Sequence, residues 1–162
     1  MNKLFVTASM LALCFIFSGC PYESAIPITA PTEKINPKIL GSWEDSKNNT
    51  TYKVSKETEY IYRVDEMEKD QKENDHLFAH TSMINGKSFL NVLNDRPEDS
   101  LKKYSFYKME LKPNGSILLA EVSENIDERF SSSKDLKNFF AANMHKSYFF
   151  SKEEVHLVRK GK

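Results

Sequence analysis

From residue 39 onward, hydrophobic and polar side chains alternate with a period close to two, the spacing of strands that bury one face. Leu40-Gly41-Ser42-Trp43 opens the first predicted strand. Residues 51–55 alternate through Tyr52 and Val54, and residues 59–64 through Tyr60, Tyr62 and Val64. The run 67–75 is charged and polar and reads as a solvated loop. Residues 76–83 and 88–93 flank Asn85-Gly86, a strong hairpin signal because both central residues of that turn must tolerate positive φ. A polar loop with Pro97 follows, and residues 104–111 and 116–122 flank Pro113-Asn114-Gly115, a second hairpin. These strands are expected to be antiparallel neighbours in a meander.

The period then changes. Ser131-Ser132-Ser133 offers a helix N-cap, and Leu136, Phe139, Phe140 and Met144 fall on one helical face, so the pattern predicts an amphipathic helix over 133–144. Residues 148–150 and 155–159 read as a last strand pair turning around 151–154. The expected fold is mainly β. About eight strands can close into a small antiparallel barrel without exposed edges, with one amphipathic helix near the C-terminus.

Composition narrows the function classes. The chain has 162 residues, with 23 Lys+Arg against 23 Asp+Glu and a formal net charge of zero. That balance argues against a nucleic-acid binder. With 40% hydrophobic and 28% charged residues it reads as a folded chain rather than a disordered one. The length beyond the N-terminal segment suits one domain with its own core.

The N-terminal segment reads as an address. Lys3 supplies a basic start, an apolar run follows to Phe17, and Ser18 and Gly19 precede Cys20. The run is short for a membrane span, which needs roughly 20 apolar residues, and suits a secretory signal core. Phe17-Ser18-Gly19-Cys20 resembles the bacterial lipobox, with Phe17 in the place that the family usually gives to an aliphatic residue. The resemblance implies cleavage before Cys20 and a lipid anchor on its thiol. An ordinary signal peptide cut nearby, with Cys20 left as a thiol, is the alternative. Cys14 lies in the part to be removed, so the mature chain is expected to form no disulfide and no catalytic thiol. Pro21 follows where Asp favours inner-membrane retention in enteric bacteria, so the resemblance points to the outer membrane.

The expected organisation is therefore a signal peptide (1–19), a lipidated, proline-containing tether (20–38) and a barrel domain (39–162). Pro27, Pro31 and Pro37 make the tether extended and semi-rigid. The alternative is an ordered arm, with Ile26 and Ile28 packed onto the body.

Gly41-Ser42-Trp43 at the start of the first strand resembles the Gly-x-Trp signature of lipocalins and related barrels. That likeness implies an indole closing the narrow end of the barrel, stacked with a basic side chain near the chain end, here Arg159. A second lipocalin motif is absent, and the helix precedes the final strands instead of following them. The lipobox, the Tyr22-Glu23-Ser24 and Ile26-Pro27 stretch, Leu40 to Trp43 and the Phe-rich helix together resemble small uncharacterised bacterial lipoproteins, a likeness that brings no biochemical role.

Catalytic chemistry finds little support, and neither a cofactor nor a metal is expected. His76 and His80 stand four apart beside Asp75, but on a strand this places them about 13 Å apart, at ~3.3 Å per residue, too far to share an ion. No nucleophile elbow occurs, and five glycines leave little material for a phosphate cradle. Asp65, Glu66 and Glu68 fall in a charged run read as a wet loop.

The aromatic residues Tyr52, Tyr60, Tyr62, Phe78, Phe89, Tyr104, Phe106 and Tyr107 lie on predicted strands, with Phe139 and Phe140 on the helix. Either they fill the core, or some of them, with Tyr60, Tyr62, Phe78, Phe89 and Phe106 the candidates, line a cavity for an apolar ligand. The expectation is a non-enzymatic, lipid-anchored envelope protein. It acts as a binding or assembly module with a protein partner, or as a carrier of a small hydrophobic or lipid-like molecule.

Overall fold

The computed structural model describes residues 21–48, 50–67, 76–94 and 102–161. Among these residues, nine strands form one sheet: β1 (Glu23–Ser24), β2 (Gly41–Asp45), β3 (Thr51–Lys56), β4 (Tyr62–Met67), β5 (His76–Ile84), β6 (Lys87–Asn94), β7 (Lys103–Leu111), β8 (Ile117–Val122) and β9 (Phe150–Arg159). One helix, α1 (Ser133–Asn143), lies between β8 and β9. Strands β2 to β8 form an antiparallel meander, and β9 pairs with both β8 and β2 to close an eight-stranded barrel. The result is a mainly β, closed antiparallel barrel with one extra edge strand and one helix near the C-terminus.

Local chemistry sets the turns. Asn85 and Gly86 take φ of 47° and 74°, as the hairpin between β5 and β6 requires. Strand β7 extends past the end of β8. The short β1 occupies the edge so exposed, pairing Glu23 with Ser105 and Ser24 with Tyr104, while the Tyr22 amide donates to the Val122 carbonyl.

The helix begins where Ser132 caps it, accepting from the Asp135 amide at 3.1 Å and donating to the Asp135 carboxylate at 2.9 Å. Leu136 and Phe140 are its fully buried residues. They pack on the outer face of the barrel against Ile84, Phe89, Phe106 and Val122. Phe140 is the centre of this outer core. Its ring meets those of Phe106, Phe89 and Phe149 edge-on at 5.3, 5.6 and 5.1 Å, a geometry the aromatic quadrupole favours.

Two expectations are corrected. Residues 151–154 do not turn: β9 is one continuous strand. Ala120 faces Glu154 while Val122 faces Phe150, so extra residues bulge from the ladder, and exposed Lys152 and Glu153 give this stretch its turn-like polarity. The 59–64 strand begins later, at Tyr62, because Glu57 and Thr58 bond the Ile61 carbonyl in a turn that holds Tyr60.

Residues 20–38 take the form of the ordered arm rather than the tether, over their described part. Tyr22 is 2% exposed and Ile28 is fully buried, both in the outer core. The prolines that exclude helix and ladder also make this segment suited to lying across a surface. A buried polar cluster latches it. The Ile28 amide donates to Asn91 Oδ1 at 2.7 Å, Thr29 and Ser82 share a hydroxyl bond at 2.6 Å, and His80 Nε2 donates to the Thr29 carbonyl at 2.8 Å. Asn91 Nδ2 in turn donates to Ser82 at 2.8 Å.

Burial holds the His80 imidazole below its ordinary pKa of 6.5, against the opposing pull of its bond to Thr29. The unfolded chain then takes up the proton first, so His80 contributes stability that is complete above pH 6.5 and lost as pH falls below it. The urea midpoint of the wild type is expected to drop between about pH 7 and about pH 5, and His80→Gln to flatten that drop. An equal drop in the variant would contradict this role for His80.

Candidate functional site

The inward positions of the barrel surround a cavity of about 310 Å³. Its wall is mostly aliphatic and of moderate size: Val54 and Val64, Leu77 and Ala79, Leu90 and Val92, Met109, Leu119, Val155 and Leu157.

One end of the cavity is closed. A short 3-10 turn, Pro37–Ile39, brings the Ile39 side chain to the cavity wall, and Asn36 caps that turn by accepting from the Lys38 amide. Trp43 is fully buried beside Ile39 and donates its indole N–H to the Ile39 carbonyl at 2.7 Å. Arg159 stands opposite Trp43 across the β2–β9 ladder, its guanidinium carbon 4.5 Å from the ring centroid. The same guanidinium donates to the Leu40 carbonyl at 3.1 Å and the Lys38 carbonyl at 2.7 Å. Gly41 makes room for it. A Cβ there would lie 2.7 Å from Arg159 Nη1, and φ of +129° is one that only glycine adopts readily. Tyr62 completes this end, its ring on the wall and its oxygen accepting from the Asn36 amide at 2.6 Å.

Part of the wall is polar. Tyr52 and Glu66, paired across β3 and β4, both line the cavity, as does Tyr107. Tyr107 donates to Glu121 Oε1 at 2.8 Å. Burial pushes its phenol pKa far up; the charge of Glu121, the hydrogen bond to it and the nearby Tyr52 and Glu66 add to the rise. Glu66 on β4 and Glu121 on β8 belong to opposite walls, four strands apart around the ring.

The sequence candidates are placed as follows. Of Tyr60, Tyr62, Phe78, Phe89 and Phe106, the structure puts Tyr62 on the cavity wall. Phe89 and Phe106 are fully buried in the outer core under α1. Phe78 alternates with the inward-facing Leu77 and Ala79 and so takes the outer face, and Tyr60 is in the 57–61 turn. Gly41, Trp43 and Arg159 come together at the closed end. Cys20 lies outside the described residues, as do Asp75 and Glu68. His76 bonds Asp65 at 2.7 Å, whereas His80 belongs to the arm latch.

Glu66 was hidden by the charged run it opens. It belongs to β4 instead of a wet loop, and the signal that could have placed it is its even spacing from Tyr62 and Val64, which puts all three on one face.

Comparison with protein-family models, curated proteins and solved structures finds no match. The geometry itself defines the class: a closed antiparallel β-barrel around an apolar cavity, capped at one end by Ile39 and Trp43 and with Glu66 on its wall.

Trp43→Ala is expected to cost about 3–5 kcal/mol through the space it opens beside Ile39. Denaturant titration measures this, and a loss below about 1 kcal/mol would contradict the closing role of the indole.

Proposed function

We propose that this protein is a lipid-anchored carrier of the bacterial envelope that holds a small hydrophobic or lipid-like molecule inside its barrel. The apolar cavity of about 310 Å³ carries this reading. It matches the lower end of ligand pockets, roughly 300–1,000 Å³, and has the apolar wall with a few convergent polar groups that such pockets share. An aliphatic wall binds by excluding water from both surfaces, at about 25 cal/mol per Å² of apolar area removed.

The anchor belongs to the same reading. Cys20, at the end of its lipobox-like tetrapeptide, is the proposed lipidation site, with the outer membrane as the proposed location. Tyr22 is fixed to the Val122 carbonyl, and Val122 ends β8 just after Glu121. A lipid on Cys20 would therefore hold that end of the barrel close to the bilayer, where an amphiphile leaving the membrane meets the cavity first. A protein with no catalytic role needs nothing further from the site.

Native mass spectrometry of the protein purified from its own host is expected to find it with a co-purifying apolar molecule, released on denaturation. A bare mass accompanied by a captured protein partner would favour the assembly-module reading instead. Cys20→Ser is expected to shift the protein from the membrane fraction to the soluble one. Wild-type recovery of that variant with membranes would overturn the anchor.

A further inference from the structure

The cavity is shallow, and its depth bears on what it holds. Among the described residues, the wall has three inward positions on β4 (Tyr62, Val64 and Glu66) and no more than two on any other strand. Two steps of two residues cover about 13 Å along β4 at ~3.3 Å per residue, or about 10 Å along the axis at the roughly 40° tilt of barrel strands. An extended chain of single bonds advances about 1.2 Å per bond, so this depth takes about eight carbons. Volume gives a second measure. At roughly 30 Å³ per heavy atom, the share a water molecule has in the liquid, the cavity of about 310 Å³ takes about ten.

The floor of the cavity is braced. Ile39 presents its side chain to the interior, its amide donates to the Asn36 carbonyl at 3.0 Å, and its own carbonyl accepts the Trp43 indole N–H. Arg159 lies over the Trp43 ring and donates to the carbonyls of Lys38 and Leu40, the residues on either side of Ile39. The Asn36 amide is in turn held by the Tyr62 oxygen. Ile39 cannot retreat before a longer ligand without breaking several of these bonds.

We propose that the Pro37–Ile39 cap, braced through Trp43 and Arg159, is a ruler that limits the ligand to a hydrocarbon chain of about eight to ten carbons. This rests on the carrier reading and adds to it the length of the chain carried. Each carbon up to that length removes more apolar surface from water and tightens binding about fourfold. Beyond it, the next carbon either stays in water or has to displace Ile39, and the gain stops. A chain that spans one leaflet covers about 15 Å, half of the roughly 30 Å hydrocarbon core of a bilayer, and exceeds the cavity. The cargo is a medium-chain amphiphile rather than a phospholipid of the membrane itself.

Trp43 is the one tryptophan of the chain and lines the cavity, so its fluorescence reads occupancy. Titration with 1-hexanol, 1-octanol, 1-decanol and 1-dodecanol varies the length while the head group stays uncharged and constant. Affinity is expected to rise about fourfold per carbon up to octanol or decanol, then to level off or fall at dodecanol. Ile39→Ala lowers the floor and is expected to move the best chain up by about two carbons. Ala79→Leu, beside Tyr62 in the β4–β5 ladder, fills part of the interior and is expected to move it down by about two. Thermal melts confirm which variants fold, and either one alone decides. A rise that continues unchanged through dodecanol, or an optimum that stays put in a folded variant, would overturn the ruler and leave the carrier reading intact. If none of the four alkanols binds, both fall together.

Discussion

The outer aromatic core around Phe140 is the constraint that shapes the rest of the molecule. Phe89, Phe106, Phe140 and Phe149 are all fully buried, and all lie between the outer face of the barrel and the layer that covers it. Aromatic rings contribute most of the apolar area a small domain can bury, so the structure places its largest share of that area outside the barrel wall. Most of the interior is lined by valine, leucine, isoleucine, alanine and methionine, joined by Trp43, Tyr52, Tyr62 and Tyr107 but, among the described residues, by no phenylalanine. Side chains of that size line an eight-stranded barrel without filling it. The cavity is thus a consequence of where the phenylalanines go.

The covering layer explains why the N-terminal arm is ordered. Helix α1 reaches only part of the outer face, and the arm extends the cover: Tyr22 packs on Phe106 and Phe140, and Ile28 joins the same cluster. The backbone that crosses this apolar surface needs partners, and His80, Ser82 and Asn91 provide them from outward positions on β5 and β6. Ser133, the first residue of the helix, ties the two parts of the cover together by donating to the Pro27 carbonyl at 2.7 Å. Farther along, the Ile35 amide bonds the Glu59 carbonyl and the Asn36 amide bonds Tyr62, so the same segment goes on to close the barrel at Ile39. One stretch of chain therefore covers the outside, caps one end and starts β2.

Much of the architecture was legible in the sequence because it rests on local rules. Asn85-Gly86 fixes a hairpin by its φ values, and Ser132 with Leu136 and Phe140 marks a helix by cap and spacing. What was not legible depends on which face of each strand is covered. Alternation alone assumes one buried face, whereas β6 buries Phe89 and Asn91 outward while Leu90 and Val92 line the cavity. Phe89 and Phe106 were therefore legible as buried but not as belonging to the outer side. The arm's fate was equally hidden, since its partners His80, Ser82 and Asn91 come from strands more than fifty residues away. Glu66 lay in a stretch whose polarity suits a loop, and its pairing with Tyr52 shows it as a strand residue facing inward, as its even spacing from Tyr62 and Val64 allows.

An interior left hollow by outward packing of the aromatics can be observed directly. Crystals of the protein pressurised with xenon provide the test, because dry apolar cavities take up this atom and polar or filled ones do not. The account predicts xenon density inside the barrel, between Trp43, Leu77 and Met109. A barrel whose interior side chains meet across the axis, with no xenon between them, would contradict it.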